Sequence, residues 1–298
     1  MTGTPGGVPG STSGAPEPFG ARLRRAMGTR GPLCVGIDPH ASLLAGWGLD
    51  DDVAGLERFT RTVVEALADR VSVLKPQAAF FERHGSRGLA VLERAIADAR
   101  SAGALVLTDA KRGDIGSTMA AYADAFLTPG SPLCSDAVTV SPFLGFGSLR
   151  PALDAARRFG GGVFVLALTS NPEGPEVQRA TAVGGRPVAQ VILDHLAEEN
   201  RGPEPLGSFG AVVGATLAEA GVDLDMGGPL LAPGLGAQGA TAADLPRLFG
   251  AAVHRVLPSV SRGVLSRGPS AEGLRQAVRE ESERLAAALD GRERVSER

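Results

Sequence analysis

The chain has 298 residues and a formal net charge of -3; 43% of its residues are hydrophobic and 21% are charged. This composition is typical of a globular protein with a full apolar core and excludes an intrinsically disordered chain. Because the 30 basic residues form no stripe and aromatic residues are scarce, we expect neither a nucleic-acid surface nor a platform for stacking single-stranded bases. No apolar run approaches the roughly 20 residues that a membrane span needs, so no membrane partner is expected.

The two ends of the chain and its cysteines bear on its organisation. Residues 1–18 are rich in Gly, Pro, Ser and Thr and lack the basic and apolar regions of a signal peptide, which predicts a disordered tail. Residues 291–298 are highly charged and predict a second tail. Cys34 and Cys134 form neither a metal-ligand spacing nor a disulfide framework, as expected in a reducing compartment. The sequence therefore predicts a cytoplasmic protein whose folded part spans residues 19–290.

Short apolar or β-branched segments alternate with longer amphipathic segments along this folded part. The predicted strands are Leu33–Asp38, Val71–Pro76, Ala104–Lys111, Asp136–Ser141, Gly162–Thr169, Gly210–Ala215, Leu230–Gly234 and Val253–Ser259. The predicted helices are Leu56–Ala68, Gly88–Ala102, Ser117–Phe126, Leu149–Phe159, Val188–Asn200 and Ser270–Leu289. Apolar runs without strict alternation suit strands that are buried on both faces, as in a parallel sheet covered by helices.

Eight strand–helix repeats in roughly 270 residues match the (β/α)8 TIM barrel, an α/β fold, as a single domain. The alternative is a doubly wound sheet, which normally has a G-x-G-x-x-G turn after its first strand. Here Val35-Gly36-Ile37-Asp38-Pro39 ends the first predicted strand in a carboxylate instead, which favours the barrel. The segment Ser170–Gly185 has little strand or helix signal, and a loop of that length in a compact barrel is usually functional.

Charged residues follow the apolar runs at the predicted carboxyl ends of the first three strands, where barrel enzymes place their active sites. They are Asp38, Lys75, Asp109 and Lys111. Asp109 and Lys111 are two residues apart, so on a regular strand their side chains point to the same side. Alternating acids and bases make such a cluster tolerable and keep a lysine charged, ready to donate a proton. Taken singly, each residue has a structural explanation: Asp109 could cap a turn, and Asp114 precedes a predicted helix.

The glycine-rich turn after the seventh predicted strand and the arginine after the eighth suggest a phosphate site. Gly234, Gly236 and Gly239 allow the backbone to approach a ligand closely, and Arg262 follows the eighth strand. Barrels commonly bind phosphate with these two loops. Either feature alone would be explained by a plain turn or a surface arginine.

Several motifs carry a resemblance to a known family. The segment Thr108-Asp109-Ala110-Lys111-Arg112-Gly113-Asp114-Ile115-Gly116-Ser117-Thr118 resembles the signature of the orotidine 5′-monophosphate (orotidine 5′-phosphate) decarboxylases. Further segments that fit the family, in the same order, are Gly36–Pro39, Leu74–Glu82, Leu231–Gly239 and Ser259–Gly263. Lys75–Glu82 and the loop Ser170–Gly174 are similar to the longer bacterial branch of that family. The resemblance covers roughly residues 20–285, essentially the whole predicted barrel.

The resemblance implies an enzyme that converts orotidine 5′-monophosphate to uridine 5′-monophosphate in pyrimidine biosynthesis, without a metal or another cofactor. It implies that Asp38 and Lys75 bind the ribose hydroxyls, with Lys75 also bridging to Asp109. Asp109 would repel the substrate carboxylate, and Lys111 would protonate C6 as carbon dioxide leaves. Ser170 would bind the edge of the pyrimidine ring.

The resemblance also implies a phosphate clamp and a homodimer. Gln238 would link the base to the phosphate, Arg262 would bind the phosphate, and the loop that contains Pro233 and Gly236 would close over it. Asp114 and Thr118 would reach into the neighbouring subunit's site and contact its ribose, so that two subunits share their sites. Arg112 receives no assignment.

Two alternatives stay open. One is a Mg²⁺-dependent sugar-phosphate decarboxylase or aldolase of the same superfamily, which shares the Asp-x-Lys-x-x-Asp pattern. The other is a catalytically inactive nucleotide-binding barrel. Ser170 and Gln238 favour the decarboxylase over the first alternative, and the intact set of Asp109, Lys111 and Asp114 favours it over the second. The four histidines form no metal-like cluster, so no metal site is expected.

Overall fold

A computed structural model of the protein describes residues 15–202, 205–236 and 239–290. In these residues the chain forms a closed barrel of eight parallel strands that follow one another in sequence order. The strands are β1 Cys34–Ile37, β2 Val73–Pro76, β3 Leu105–Arg112, β4 Ala137–Val140, β5 Gly162–Leu168, β6 Phe209–Val213, β7 Leu230–Pro233 and β8 Val256–Val260. The predicted single-domain (β/α)8 barrel is confirmed.

Helices surround the barrel and cover one of its ends. They are α1 Phe19–Arg30, α2 Ala41–Gly46, α3 Val53–Leu67, α4 Ala79–Glu82, α5 Gly85–Ser101, α6 Gly116–Leu127, α7 Arg150–Phe159, α8 Pro175–Gln178, α9 Val188–Glu199, α10 Asp244–Phe249, α11 Arg262–Leu265 and α12 Ala271–Asp290. Two 3₁₀ helices, Phe146–Leu149 and Gly250–Arg255, precede α7 and β8. In the described ranges no helix is both long enough and apolar enough to cross a membrane.

The predicted elements lie within a few residues of the observed ones, with two kinds of difference. The last strand was expected from Val253 but begins at Val256, because the residues before it form a 3₁₀ helix. Five short helices (α2, α4, α8, α10 and α11) were not predicted, since elements of four to six residues are too short to show a helical period. The predicted loop Ser170–Gly185 contains one of them, α8.

The longest helix missing from the prediction, α1, covers the amino-terminal end of the barrel. Only Phe19, Gly20, Leu23 and Ala26 of its twelve residues are buried, which leaves a weak periodic signal in the sequence. The Phe19 ring packs edge-on against Phe164 of β5, with ring centroids 5.9 Å apart. A Cβ atom on Gly162 would lie 2.4 Å from that ring, so the first residue of β5 has to be glycine. The carboxyl ends of the strands are therefore the open end of the barrel.

The segment before α1 lies partly within the described residues. Glu17 forms an ion pair with Arg25, and its carbonyl lies 2.7 Å from the position of a Cβ on Gly160. Residues 15–18 of the predicted tail thus have defined contacts with the barrel domain. Residues 1–14 and the predicted tail 291–298 lie outside the described residues.

A buried carboxylate connects α1 to the lower part of the barrel. Asp136, which is 4% exposed, forms ion pairs with Arg22 of α1 and Arg100 of α5. Its Oδ2 also accepts a hydrogen bond of 2.9 Å from the backbone of Val106 in β3. A buried carboxylate destabilises a protein unless it is paired and hydrogen-bonded. These contacts stabilise the Asp136 carboxylate, which thereby links α1, α5 and β3.

We expect Asp136→Asn to lower the free energy of unfolding by about 2–3 kcal/mol, since it leaves Arg22 without its partner and removes a charged acceptor. Urea denaturation measures this change. The matched control is Asp154→Asn, because Asp154 is exposed and pairs with Arg157 on the surface of α7. That variant should change the free energy of unfolding by less than about 0.5 kcal/mol. Equal effects of the two substitutions would contradict a structural role for the buried pair.

Candidate active site

The carboxylate of Asp109 is the centre of the polar cluster at the open end of the barrel. Asp109 is 7% exposed, and four side chains donate hydrogen bonds to its two oxygens. Lys111 Nζ and Thr139 Oγ1 reach Oδ1 at 2.7 and 2.8 Å. Gln77 Nε2 and Lys75 Nζ reach Oδ2 at 2.8 and 3.3 Å. The carboxylate is therefore fully hydrogen-bonded and lies between two ammonium groups.

These contacts fix the charge of the buried groups. Burial alone would raise the pKa of the Asp109 carboxyl, but the ammonium groups of Lys75 and Lys111 and the hydrogen bonds hold it far below its usual range. Burial alone would lower the pKa of the Lys75 ammonium, but the carboxylates of Asp109 and Asp38 raise it above its usual value. Asp109 and Lys75 are thus both charged near neutral pH. Lys75 and Lys111 are the only lysines in the sequence.

The end of β3 departs from a regular strand. Thr108 pairs with Val138 and Arg112 with Val140, so three residues of β3 lie opposite the single residue Thr139 of β4. Lys111 has a φ angle of 48° and is the only non-glycine residue in the left-handed region among those described. The Asp109 and Lys111 side chains meet as expected, but through this bulge rather than through the regular alternation of a strand.

Asp38 follows β1 beside Lys75, and no described residue pairs with one of its oxygens. Its Oδ1 is buried and accepts no hydrogen bond from a described residue. A Cβ on Gly36 would lie 3.0 and 3.2 Å from the two carboxylate oxygens, so a larger residue would press on Asp38 in this position. A buried acceptor that faces a charged lysine is suited to a ligand that donates hydrogen bonds, such as a hydroxyl group.

No hydrogen bond or ion pair connects Asp114 or Thr118 to this cluster among the described residues. The Asp114 carboxylate accepts a hydrogen bond from the next backbone amide, that of Ile115, and no other described group donates to it. Thr118, in the first turn of α6, is exposed. The structure of one chain therefore brings Asp38, Lys75, Asp109 and Lys111 together but leaves Asp114 and Thr118 outside.

Ser170 stands at the start of a loop that hydrogen bonds hold in place. Ser170 is exposed and follows β5. A Cβ built on Gly214, which follows β6, would lie 3.1 Å from the Cβ of Ser170. The neighbouring Thr169 donates its amide to Gln178 of α8 at 2.8 Å and its hydroxyl to Asn171 at 2.6 Å. Ser170 is thus presented at the open end of the barrel by a structured loop.

The predicted phosphate residues lie at the carboxyl ends of β7 and β8. Pro233 ends β7, and Gly236 has a φ of 73° and donates its amide to the Ala240 carbonyl at 2.8 Å in a tight turn. Arg262 is the first residue of α11, is exposed, and forms no ion pair or side-chain hydrogen bond within the described ranges. Gln238 lies outside the described residues.

Two residues that the sequence analysis did not assign, Gln77 and Thr139, complete the shell around Asp109. Gln77 belongs to the motif Lys75–Glu82, which was the available signal. Thr139 is a fully buried hydroxyl in an apolar strand, and its Oγ1 also accepts the Lys111 amide at 2.9 Å. Arg112, left unassigned above, is structural: it pairs with Glu82 of α4 and lies over the rings of Tyr122 and Phe126 in α6.

Where the structure describes the chain, the histidines and carboxylates do not form a donor set for a metal ion. Among the described residues no three His, Cys, Asp or Glu side chains are grouped so that they could hold one. His40 packs edge-on against Phe80, with ring centroids 4.5 Å apart, and His195 stacks on Phe146 at 4.9 Å. That the reaction proceeds without a metal ion stays a prediction.

Comparisons with known proteins agree on one family. The model of the orotidine 5′-phosphate decarboxylase / HUMPS family matches residues 31–277. The orotidine 5′-phosphate decarboxylase of Streptomyces coelicolor is 72% identical over 263 residues, which cover 88% of this chain and 95% of the relative. That of Salinispora arenicola is 65% identical over 92% of this chain and 99% of the relative. A crystal structure of a protein provisionally assigned to the same activity, from Streptomyces avermitilis, has a TM-score of 0.92 and 68% identity, covering 94% of this chain and 99% of that one.

The presence of only two lysines allows a direct test of the charge on Lys75. In a protein labelled with [¹³Cε]lysine, we expect the Lys75 signal to keep the chemical shift of a charged lysine at pH 10.5, where a lysine in a model peptide is about half deprotonated. The signal that persists in Lys111→Ala is that of Lys75.

The Asp109→Asn substitution should move the titration of Lys75 to lower pH, because burial then acts on an ammonium that has lost its main counterion. The control is Asp154→Asn, which removes a surface carboxylate. A Lys75 signal that titrates near pH 10.5 in the unsubstituted protein would show that the carboxylates do not raise its pKa.

Proposed function

This chain belongs to the orotidine 5′-phosphate decarboxylase / HUMPS family, and on that premise we propose how its residues decarboxylate orotidine 5′-phosphate to uridine 5′-phosphate in pyrimidine biosynthesis. The observation that carries the proposal is the ionised Asp109 between Lys75 and Lys111 at the carboxyl ends of β2 and β3. The reaction removes a carboxylate from the pyrimidine ring, and this cluster places one fixed negative charge and one proton donor side by side.

In the proposed reaction, Asp109 acts on the substrate carboxylate and Lys111 on C6. Because Lys75 and Lys111 hold the pKa of Asp109 well below its usual range, Asp109 is negatively charged and repels a substrate carboxylate that binds next to it. As the bond between C6 and the carboxylate breaks, carbon dioxide leaves and the electron pair of that bond stays on C6. The Lys111 ammonium stabilises that charge and then donates a proton to C6. The Lys111 side chain is 45% exposed, so it can reach a substrate while it is held by Asp109.

The remaining assigned residues bind the rest of the nucleotide. Asp38 and Lys75 bind the ribose hydroxyls, which is supported by the unpartnered buried Oδ1 of Asp38. Ser170 binds the pyrimidine edge. The phosphate is bound by Arg262, whose guanidinium has no partner among the described residues, and by the turn with Pro233 and Gly236, together with Gln238. Binding energy from the distant phosphate lowers the barrier at the base.

We further propose that the active form is a homodimer in which Asp114 and Thr118 complete the partner's site. Neither side chain has a hydrogen bond or ion pair with its own cluster among the described residues, and Thr118 is exposed. Ile115, which follows Asp114 after β3, is 61% exposed, and Phe143 and Leu144, after the neighbouring strand β4, are 75% and 53% exposed. Large exposed apolar groups of this kind are typical of a protein–protein interface. The cytoplasmic location expected from the sequence stays a prediction.

The two alternatives of the sequence analysis are not supported by the comparisons. The curated relatives at 72% and 65% identity are decarboxylases of orotidine 5′-phosphate, not sugar-phosphate enzymes or inactive proteins. An assay with EDTA present separates the first alternative by experiment. Loss of the orotidine 5′-phosphate absorbance should continue in EDTA; turnover of a keto-sugar phosphate with Mg²⁺, and none of orotidine 5′-phosphate, would overturn the proposal.

Replacing Lys111 by alanine should reduce the decarboxylation rate by at least about 10³-fold, because the proton donor and one positive charge are lost. Binding of uridine 5′-phosphate should persist, since the proposed ribose and phosphate residues remain. The decline in ultraviolet absorbance measures turnover, and calorimetry measures binding. Arg58→Ala, on the surface of α3, is the control for loss of a cation. Unchanged turnover in Lys111→Ala would rule out the proposed proton donor.

Shared sites predict complementation between two inactive variants. Mixing Lys111→Ala with Asp114→Ala subunits, after unfolding and refolding together, should restore about a quarter of the unsubstituted activity. Half of the dimers are then mixed, and each has one site with both residues intact. Lys111→Ala mixed with Asp109→Asn should restore nothing, because both residues belong to the same subunit's cluster. Absence of recovery in the first mixture, while each variant folds, would contradict the shared site.

A further inference from the structure

Unpartnered buried polar atoms point to places where a ligand is expected. In the described part of the chain, six buried side-chain atoms have no hydrogen-bond partner. Two of them, Asp38 Oδ1 and Ser261 Oγ, follow neighbouring strands of the barrel, β1 and β8, at the open end. The other four are Arg30 Nε, Thr60 Oγ1, His84 Nε2 and Arg255 Nε.

The Ser261 side chain and the Asp38 carboxylate border the same small space above Gly36. A Cβ built on Gly36 would lie 3.0 Å from Ser261 Cβ and 3.0 and 3.2 Å from the two Asp38 oxygens. A side chain at position 36 would therefore press on both groups. The Ser261 side chain and the Asp38 carboxylate therefore lie close together beside Gly36, at the open end of the barrel.

The hydroxyl of Ser261 does not serve the fold. Ser261 is the N-cap residue of α11, a position where a serine usually accepts a hydrogen bond from a helix amide. Here its backbone carbonyl accepts the amides of Val264 and Leu265 at 3.0 and 2.9 Å, and its side chain makes no capping bond. A buried hydroxyl without a partner destabilises a protein, so a ligand at the open end of the barrel that bonded to Ser261 would remove this cost.

We propose that Ser261 is a further substrate-binding residue, whose hydroxyl binds the ribose of the nucleotide together with Asp38. This inference rests on the proposed function, in which Asp38 binds the ribose. A ribose hydroxyl can donate to the carboxylate, and a hydroxyl of the same diol can exchange a hydrogen bond with Ser261 Oγ. A phosphate oxygen does not fit this space, because it would lie against the Asp38 carboxylate and be repelled. The phosphate instead belongs to the next residue, Arg262.

The Ser261→Ala variant separates this role from a structural one. We expect the melting temperature of the ligand-free variant to be unchanged or higher, because an unpartnered hydroxyl is removed. The dissociation constant of uridine 5′-phosphate should rise by about 3- to 10-fold, the loss of one uncharged hydrogen bond. Ser266→Ala, at the exposed end of the same helix, is the matched control and should change neither quantity. A lower melting temperature with unchanged affinity would mean that Ser261 acts as a helix cap and would overturn the proposal.

Deoxy ligands identify the group that Ser261 contacts. In the unsubstituted protein, 2′-deoxyuridine or 3′-deoxyuridine 5′-phosphate should bind more weakly than uridine 5′-phosphate, and Ser261→Ala should cause no further loss with one of them. If Ser261→Ala weakens the binding of both deoxy ligands as much as that of uridine 5′-phosphate, the ribose assignment is wrong. It is also wrong if the effect of Ser261→Ala is absent only with uridine, which lacks the phosphate. Turnover of orotidine 5′-phosphate by the unsubstituted protein tests the proposed function separately, so each failure is recognisable.

Discussion

The ionised carboxylate of Asp109, held between two ammonium groups, is the interaction on which the rest of the open end depends. A carboxylate that is 7% exposed would take up a proton if it were alone, because burial disfavours the charged form. Lys75 approaches it from β2, Lys111 from β3 itself, and Thr139 from β4, so three neighbouring strands must have one relative register for the charge to be tolerated. The bulge in β3 provides that register. Its cost is a lysine in the left-handed region, a conformation that costs roughly 1–2 kcal/mol in a residue other than glycine.

The barrel contains a second buried carboxylate, that of Asp136. Its cationic partners differ from those of Asp109, and the difference has a chemical reason. Asp136, near the end covered by α1, is neutralised by the arginines Arg22 and Arg100. Arginine stays protonated in proteins, so it is suited to a permanent structural pair. A lysine ammonium can give up a proton when a stronger base forms beside it. Of the 30 lysine and arginine residues in the sequence, the only two lysines, Lys75 and Lys111, both pair with Asp109.

The polar groups that one chain leaves unpartnered outline the shape of the expected ligand. Asp38 Oδ1 and Ser261 Oγ lie beside the charged cluster, and Arg262 follows them on the side of β8. A different set follows β3 and β4: Asp114, whose carboxylate accepts the Ile115 amide, and the exposed side chains of Thr118 and Phe143. A nucleotide would use the first group and a second subunit the other. Such unpartnered groups lower the free energy of unfolding of the free chain, as is common where a protein binds its ligand.

The sequence by itself determined the order of strands and helices, because apolar runs and amphipathic periods are local properties of the chain. It also indicated which strand ends carry charge, since Asp38, Lys75, Asp109 and Lys111 each follow such a run. Only the tertiary structure decided which groups meet. Gln77 and Thr139 bind Asp109 from 32 and 30 residues away, and the contact depends on barrel closure and on the β3 bulge, which no period in the sequence encodes. The role of α1 and the unpartnered hydroxyl of Ser261 were decided in the same way, because burial and hydrogen bonding are properties of the packed barrel rather than of a segment.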